Sequence, residues 1–218
     1  MSILLENVAD EQKITDFYGK FIAYYGVQEI RAAGWLSAEK VLQGYDIATR
    51  SKSQDWLDME AVLDVGSGQG HLLYYLRQQR GYHGYYLGVE LVPEFYKLAS
   101  GAYASDPNAE FACAEFLSHD FEGDRFDWVF SYGSLGVAQV NQAEYARATI
   151  AKMAELSTRG FSLYVNDRQK MESVPEGLAA HDIWELAHDI NEIRPGAEIE
   201  ATCFPDEQSY NTVLQVSF

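Results

Sequence analysis

The amino-acid sequence predicts an α/β fold: a doubly wound, mostly parallel sheet of seven strands ending in an antiparallel strand, with a helical segment ahead of it. Three observations carry that expectation. From residue 61 onward, short β-branched or aromatic runs alternate with helical stretches, the pattern of a parallel sheet covered on both faces. The last two strand-like runs have no helix between them, which makes them antiparallel neighbours. Before residue 61 the chain reads as helical and rich in aromatic residues.

Taken in order, residues 11–31 place Ile14, Phe17, Tyr18, Phe21, Ile22 and Tyr25 at helical spacing, and a second helix runs from the N-cap Ser37 to about Thr49. Residues 1–55 are thus expected to form a helical cap and 56–218 the sheet domain. Ala61–Val65 is the first strand, followed by a glycine-rich turn and a helix from Gly70 to Gln79. Tyr85–Glu90 is the second strand, and Pro93 suits the first turn of the helix after it. Ala109–Ala114 and Phe126–Tyr132 are strands three and four, with room for only about a turn of helix between them. Gln142–Leu156 reads as a helix that Gly160 ends, and Phe161–Asn166 as strand five. Leu178–Ile193 is amphipathic and stopped by Arg194-Pro195-Gly196; Glu198–Phe204 and Thr212–Phe218 are the final strands.

Composition limits the partners. With 33 acidic against 16 basic residues the net charge is −17, and no basic stripe is present. Nucleic acids and anionic membranes are bound through counterion exchange with clustered Lys and Arg, so both are excluded as expected partners. An apolar fraction of 47 % argues against disorder. No apolar run approaches the roughly 20 residues of a membrane span, and the first residues lack the basic and apolar regions of a secretion signal. Cys113 and Cys203 lie in apolar stretches and read as reduced core thiols of a cytoplasmic protein.

The chemistry centres on Val62-Leu63-Asp64-Val65-Gly66-Ser67-Gly68-Gln69-Gly70, between the first strand and the first helix of the sheet domain. Glycine is required where the chain turns with positive φ and where a ligand approaches the backbone. Such a turn lies at the carboxyl end of a strand, where doubly wound sheets bind their ligands. Glu90, twenty positions beyond Gly70, ends the second strand and can accept both hydroxyls of a ribose. Nicotinamide-dependent enzymes use that device as well, so Glu90 alone does not choose the cofactor. The glycine spacing is G-x-G-x-G rather than G-x-G-x-x-G, and Asp64 precedes it. A carboxylate there would repel a pyrophosphate but suits a ligand with an ammonium and a sulfonium.

Asp64-Val-Gly-Ser-Gly-Gln-Gly70 resembles motif I of the class I S-adenosylmethionine-dependent methyltransferases, and Gly88-Val-Glu90 resembles the acid that follows it in that Rossmann-like family. The likeness runs over residues 60–218. It implies S-adenosylmethionine as cofactor, held by Asp64, Gly66, Ser67, Gly68, Gly70, Glu90 and Leu91, with Ser131 at the end of the fourth strand. Glu115, in Cys113-Ala-Glu-Phe116, matches the acid that addresses the adenine, though a plain surface acid fits equally, and Phe116 would face the ring. Gly34-Trp35-Leu-Ser37 resembles a segment ahead of motif I in small bacterial members, and places Trp35 and Ser37 near the methionine end.

Phe126–Ser134 matches motif IV but departs from two subgroups. It lacks the Asn/Asp-Pro-Pro-aromatic motif of the nucleic-acid amine methyltransferases. Tyr132 also stands where catechol-type enzymes carry a magnesium ligand. The resemblance therefore implies a metal-free transfer to a small-molecule acceptor, with Tyr132 and His119 as candidates for acceptor contact. A non-catalytic S-adenosylmethionine-binding module and a nicotinamide-dependent oxidoreductase are the alternatives. On the helix at 178–193, His181, Asp182, Glu185, His188 and Asp189 read as a solvated face rather than a metal site. The aromatic side chains of the N-terminal segment read either as core packing or as a cover over the acceptor pocket.

Overall fold

The computed structural model describes residues 10–50, 58–205 and 209–218. The boundary expected at residues 55/56 and the reading of the first nine residues lie outside them. Seven strands, β1 (Ala61–Val65), β2 (Tyr85–Glu90), β3 (Ala109–Cys113), β4 (Phe126–Tyr132), β5 (Ser157–Asn166), β6 (Glu198–Cys203) and β7 (Asn211–Ser217), form one sheet in the order β3-β2-β1-β4-β5-β7-β6. All neighbours pair parallel except β7, which is antiparallel to both β5 and β6. The expected sheet is the one observed.

Both faces are covered because side chains alternate across a strand. Leu63 and Val65 of β1, with Leu87, Val129 and Phe161, pack under helices α5 (Gln142–Leu156) and α6 (Ile183–Ile193). Val62, Tyr86, Trp128 and Phe130 point the other way, against α2 (Ala38–Ala48) and α3 (His71–Tyr75), which runs on as a π turn to Arg80. Helix α2 is therefore a layer of the sheet domain. Helix α1 (Glu11–Tyr25) and the short helical turn Ile30–Ala33 instead pack on Val92 and on Phe95 of α4 (Pro93–Ala102).

Several boundaries differ from the expected ones, each for a local reason. The helix expected over 11–31 ends at Tyr25, because Gly26 takes φ 88° and its N–H caps Ile22 O. Strand β5 begins at Ser157, with Gly160 inside it: a Cβ there would lie 2.1 Å from Val216 O, so glycine permits the close pairing with β7 rather than ending a helix. Helix α6 begins at Ile183, capped by the Asp182 carboxylate, while Leu178 bridges to Val137. His181 is buried rather than solvated, its Nε2 3.0 Å from Leu135 O. The cysteines are exposed, not core thiols, because each ends an edge strand, β3 or β6. No helix among the described residues is long and apolar enough to cross a membrane.

Candidate active site

The strand order reverses between β1 and β4, and the crevice outside their carboxyl ends is where such sheets take ligands. A cavity of about 400 Å³ opens there. One wall is the glycine loop. Gly66 N and Ser67 N donate to Val89 O at 2.8 and 3.1 Å, which pins the loop across β2. Gly66, Gly68 and Gly70 all have positive φ, and a Cβ on Gly68 would project into open space. That is the bare backbone a cofactor can lie against.

Two buried carboxylates, Asp64 of β1 and Glu90 of β2, line the cavity beside this loop. Glu90 accepts from Gly68 N at 2.6 Å and from Val92 N at 2.7 Å, so it is oriented by backbone and keeps acceptor capacity. Asp64 accepts from Tyr86 Oη at 2.5 Å, while its Oδ1 is buried without a partner. Burial pushes both up to about 7; the Tyr86 hydrogen bond partly offsets this for Asp64, and the backbone donors do so for Glu90. Ser67 Oγ is also buried without a partner. Orphaned acceptors on a cavity wall call for a ligand carrying hydrogen-bond donors or positive charge.

The loop after β3 supplies the next wall. Glu115 accepts from Ser118 N at 2.7 Å, and Glu115 and Phe116 both line the cavity. In place of a crossover helix, the Lys152 ammonium of α5 donates to Phe116 O, Leu117 O and His119 O at 2.7–2.9 Å. His119 itself packs edge-on against Phe121 and does not reach the cavity lining.

The far end is aromatic. Tyr132 lies 4.4 Å from Tyr164, 4.6 Å from Tyr45 and 5.1 Å from Trp35 between ring centroids, and all four line the cavity. Phe17, Tyr18 and Phe21 of α1 close the same space. The Tyr132 hydroxyl does not address a ligand: it fits against Gly44 of α2, where a Cβ would sit 1.1 Å from it, and has no hydrogen-bond partner. Burial holds it well above the ordinary phenol range, so it stays neutral.

Of the residues expected at the site, Trp35, Asp64, Gly66, Ser67, Gly68, Glu90, Leu91, Glu115, Phe116 and Tyr132 line the cavity. Ser37, Ser131, Gly70 and His119 do not. Ser37 is spent as the N-cap of α2, accepting from Lys40 N. Ser131 is buried against Ser134, which takes its place in the lining. Gly70 caps α3 instead, with Tyr103 against it. Sequence reasoning missed Gln69, Lys152 and Gly44, whose roles depend on partners distant in the chain. Among the described residues no group of three or more His, Cys, Asp or Glu side chains is arranged to hold a metal ion.

Residues 62–159 match the sequence profile of a methyltransferase domain. That stretch contains the glycine loop, Glu90 and Glu115. The match makes this stretch similar to a methyltransferase domain and extends over a little under half of the chain. A Mycobacterium tuberculosis protein, Rv1506c, provisionally named a methyltransferase, is 29 % identical over 105 residues, which span 48 % of this chain and 62 % of that one. The magnesium protoporphyrin IX methyltransferase of Synechocystis, solved with bound S-adenosylhomocysteine, superposes with a TM-score of 0.67 at 15 % identity over 96 % of this chain and 99 % of that one. An S-adenosylmethionine-dependent methyltransferase of Clostridium acetobutylicum gives 0.65 at 13 % identity over 93 % and 99 %. At these identities the fold alone is shared, while acceptors are free to differ.

Proposed function

We propose that the chain is a methyltransferase that binds S-adenosylmethionine between the glycine loop and Glu90, and passes its methyl group to a small-molecule acceptor without a metal ion. The observation that carries this reading is the junction in one cavity of an acidic, glycine-backed end with orphaned acceptors and an aromatic, water-excluding end. The cofactor fits the first end on chemistry. Glu90 is oriented to take ribose hydroxyls, and Asp64 Oδ1 to meet the ammonium directly or through water. Glu115 and Phe116, in the same lining, are assigned to the adenine. The buried Asp64 disfavours a dinucleotide, whose phosphates it would repel.

When bound, the cofactor supplies an electrophilic methyl group on a sulfonium. The chain's own contribution is alignment and dryness. Trp35, Tyr132 and Tyr164 make an apolar wall whose ring faces tolerate positive charge, and α1 covers the cavity so that water does not compete. Tyr132 stays protonated and His119 lies elsewhere, so neither is placed to remove a proton. The acceptor therefore brings its own nucleophile, such as a carboxylate, thiolate or neutral amine. The charge of −17 argues against a nucleic-acid acceptor.

A thermal-shift titration with S-adenosylhomocysteine tests cofactor binding, and transfer of a labelled methyl group into fractions of a small-molecule extract tests catalysis. Stabilisation together with a labelled product supports the reading. Stabilisation without product from any fraction would make the protein a binding module, and no stabilisation removes the cofactor assignment.

A further inference from the structure

Gln69 is the middle residue of the last glycine-x-glycine step, yet its side chain leaves the loop. Its Nε2 donates to Val27 O and, at 3.1 Å, to Glu29 O, in the turn between α1 and the helical turn Ile30–Ala33. Both acceptors are carbonyls, so only the amide nitrogen can face them, and the orientation of the amide is fixed. Its Oε1 is left buried with no partner, on a residue 7 % exposed that lines the cavity. The same turn packs through Val27 and Ala32 on Val92 and Phe95, just beyond Glu90. One side chain thus joins the cofactor loop, the cavity and the base of α1.

We propose that Gln69 is a positioning residue that couples ligand binding to closure of the N-terminal segment. This rests on the cofactor assignment above. Its amide nitrogen tethers the turn at Val27–Glu29 to the glycine loop, and its orphaned oxygen accepts a donor from the ligand. A ligand that completes the amide's hydrogen bonds fixes Gln69, and through it the segment that covers the acceptor end. The loop and the segment then order together, and α1 cannot lift away while the loop is engaged.

Hydrogen exchange read by segment, with and without S-adenosylhomocysteine, tests this in wild type, Gln69→Glu and Gln69→Leu. Glutamate keeps the shape but sets an oxygen against two carbonyls, and leucine removes every polar atom while adding no charge. In wild type the ligand should slow exchange at residues 27–33 together with residues 66–70. In both variants, without ligand, residues 27–33 should exchange at least about tenfold faster, since both hydrogen bonds of the tether are lost, while β1 and β4 keep their rates. Ligand protection of 66–70 should then no longer extend to 27–33. Leucine keeps the test decisive if the glutamate variant does not fold. Unchanged exchange at 27–33, acceleration spread evenly through β1 and β4, or ligand protection still reaching 27–33 in the variants would overturn the coupling. A wild type that fails to bind S-adenosylhomocysteine would overturn the cofactor assignment instead, and the ligand-free rates at 27–33 would still decide the tether.

Discussion

The two ends of the cavity are built on different principles. At the acidic end, positions close in sequence do the work: Asp64 of β1 leads directly into the turn at Gly66–Gly68, and Glu90 ends the adjacent strand. Backbone groups dominate there, with two N–H groups pinned on Val89 O and two more aimed at Glu90. At the aromatic end, Phe17, Trp35, Tyr45, Tyr132 and Tyr164 converge from α1, the turn before α2, α2 itself, β4 and β5. Backbone geometry fixes the shape of the first end, whereas side-chain packing can change at the second without touching the sheet. A family can therefore keep its cofactor and vary its acceptor.

The largest expected effect breaks the acidic end alone. Gly68→Val should abolish S-adenosylhomocysteine binding by calorimetry, because the new side chain would occupy open cavity space and strain a residue at φ 55°. The circular dichroism spectrum should remain that of a folded protein. Glu90→Ala should weaken binding by about 1.5–3 kcal/mol, the scale of hydrogen bonds to a charged group. An unchanged affinity in that variant would remove Glu90 from the site.

The same contrast explains what the sequence made legible. The sheet was readable because its strands are bounded by turn residues and alternate with helices, and all seven appear in the structure. The acidic end was readable because glycines needed for positive φ and an acid at a strand tip are local signals. Ser37 and His119 were misplaced because a residue's neighbourhood in sequence does not say where its side chain goes. Ser37 turns inward to its own helix, and His119 packs on Phe121 in a loop whose path Lys152 sets from α5. His181 was read from helical periodicity on a helix that begins two residues later. Gln69 was hidden because its partners lie forty or more residues upstream.

The aromatic end should respond through stability rather than cofactor affinity. Gly44→Ala forces a methyl group onto the Tyr132 hydroxyl and should cost about 1–3 kcal/mol in denaturant unfolding, the range for overpacked cores. Tyr132→Phe removes that hydroxyl together with its unmet hydrogen bond, so stability should stay level or rise. Once an acceptor is known, turnover in that variant should persist. Gly44→Ala placed on Tyr132→Phe should be milder than on wild type, and simple additivity would contradict the close fit of the Tyr132 hydroxyl against Gly44. Turnover should also survive EDTA. Loss of activity restored by magnesium would contradict a metal-free transfer.

The smallest effect is in the pH dependence. Asp64 and Glu90 are raised in the folded, ligand-free protein to about 7, above their unfolded values. Stability from their protonated forms is present below the unfolded values and lost as pH rises through about 7. The melting temperature of the ligand-free protein should fall over that window, and Glu90→Gln should flatten the fall. Affinity for the cationic cofactor should instead rise over the same window, as the carboxylates ionise. An affinity that falls as pH rises would reverse the assigned roles.

The central claim, that one cavity joins a cofactor end to an acceptor end beneath α1, is tested most directly by a crystal structure with S-adenosylhomocysteine. The account predicts the ligand along Gly66–Gly68, its ribose hydroxyls on Glu90, its adenine beside Glu115 and Phe116, and its sulfur facing Trp35 and Tyr132. A ligand bound elsewhere, or one whose sulfur faces away from the aromatic wall, would contradict it.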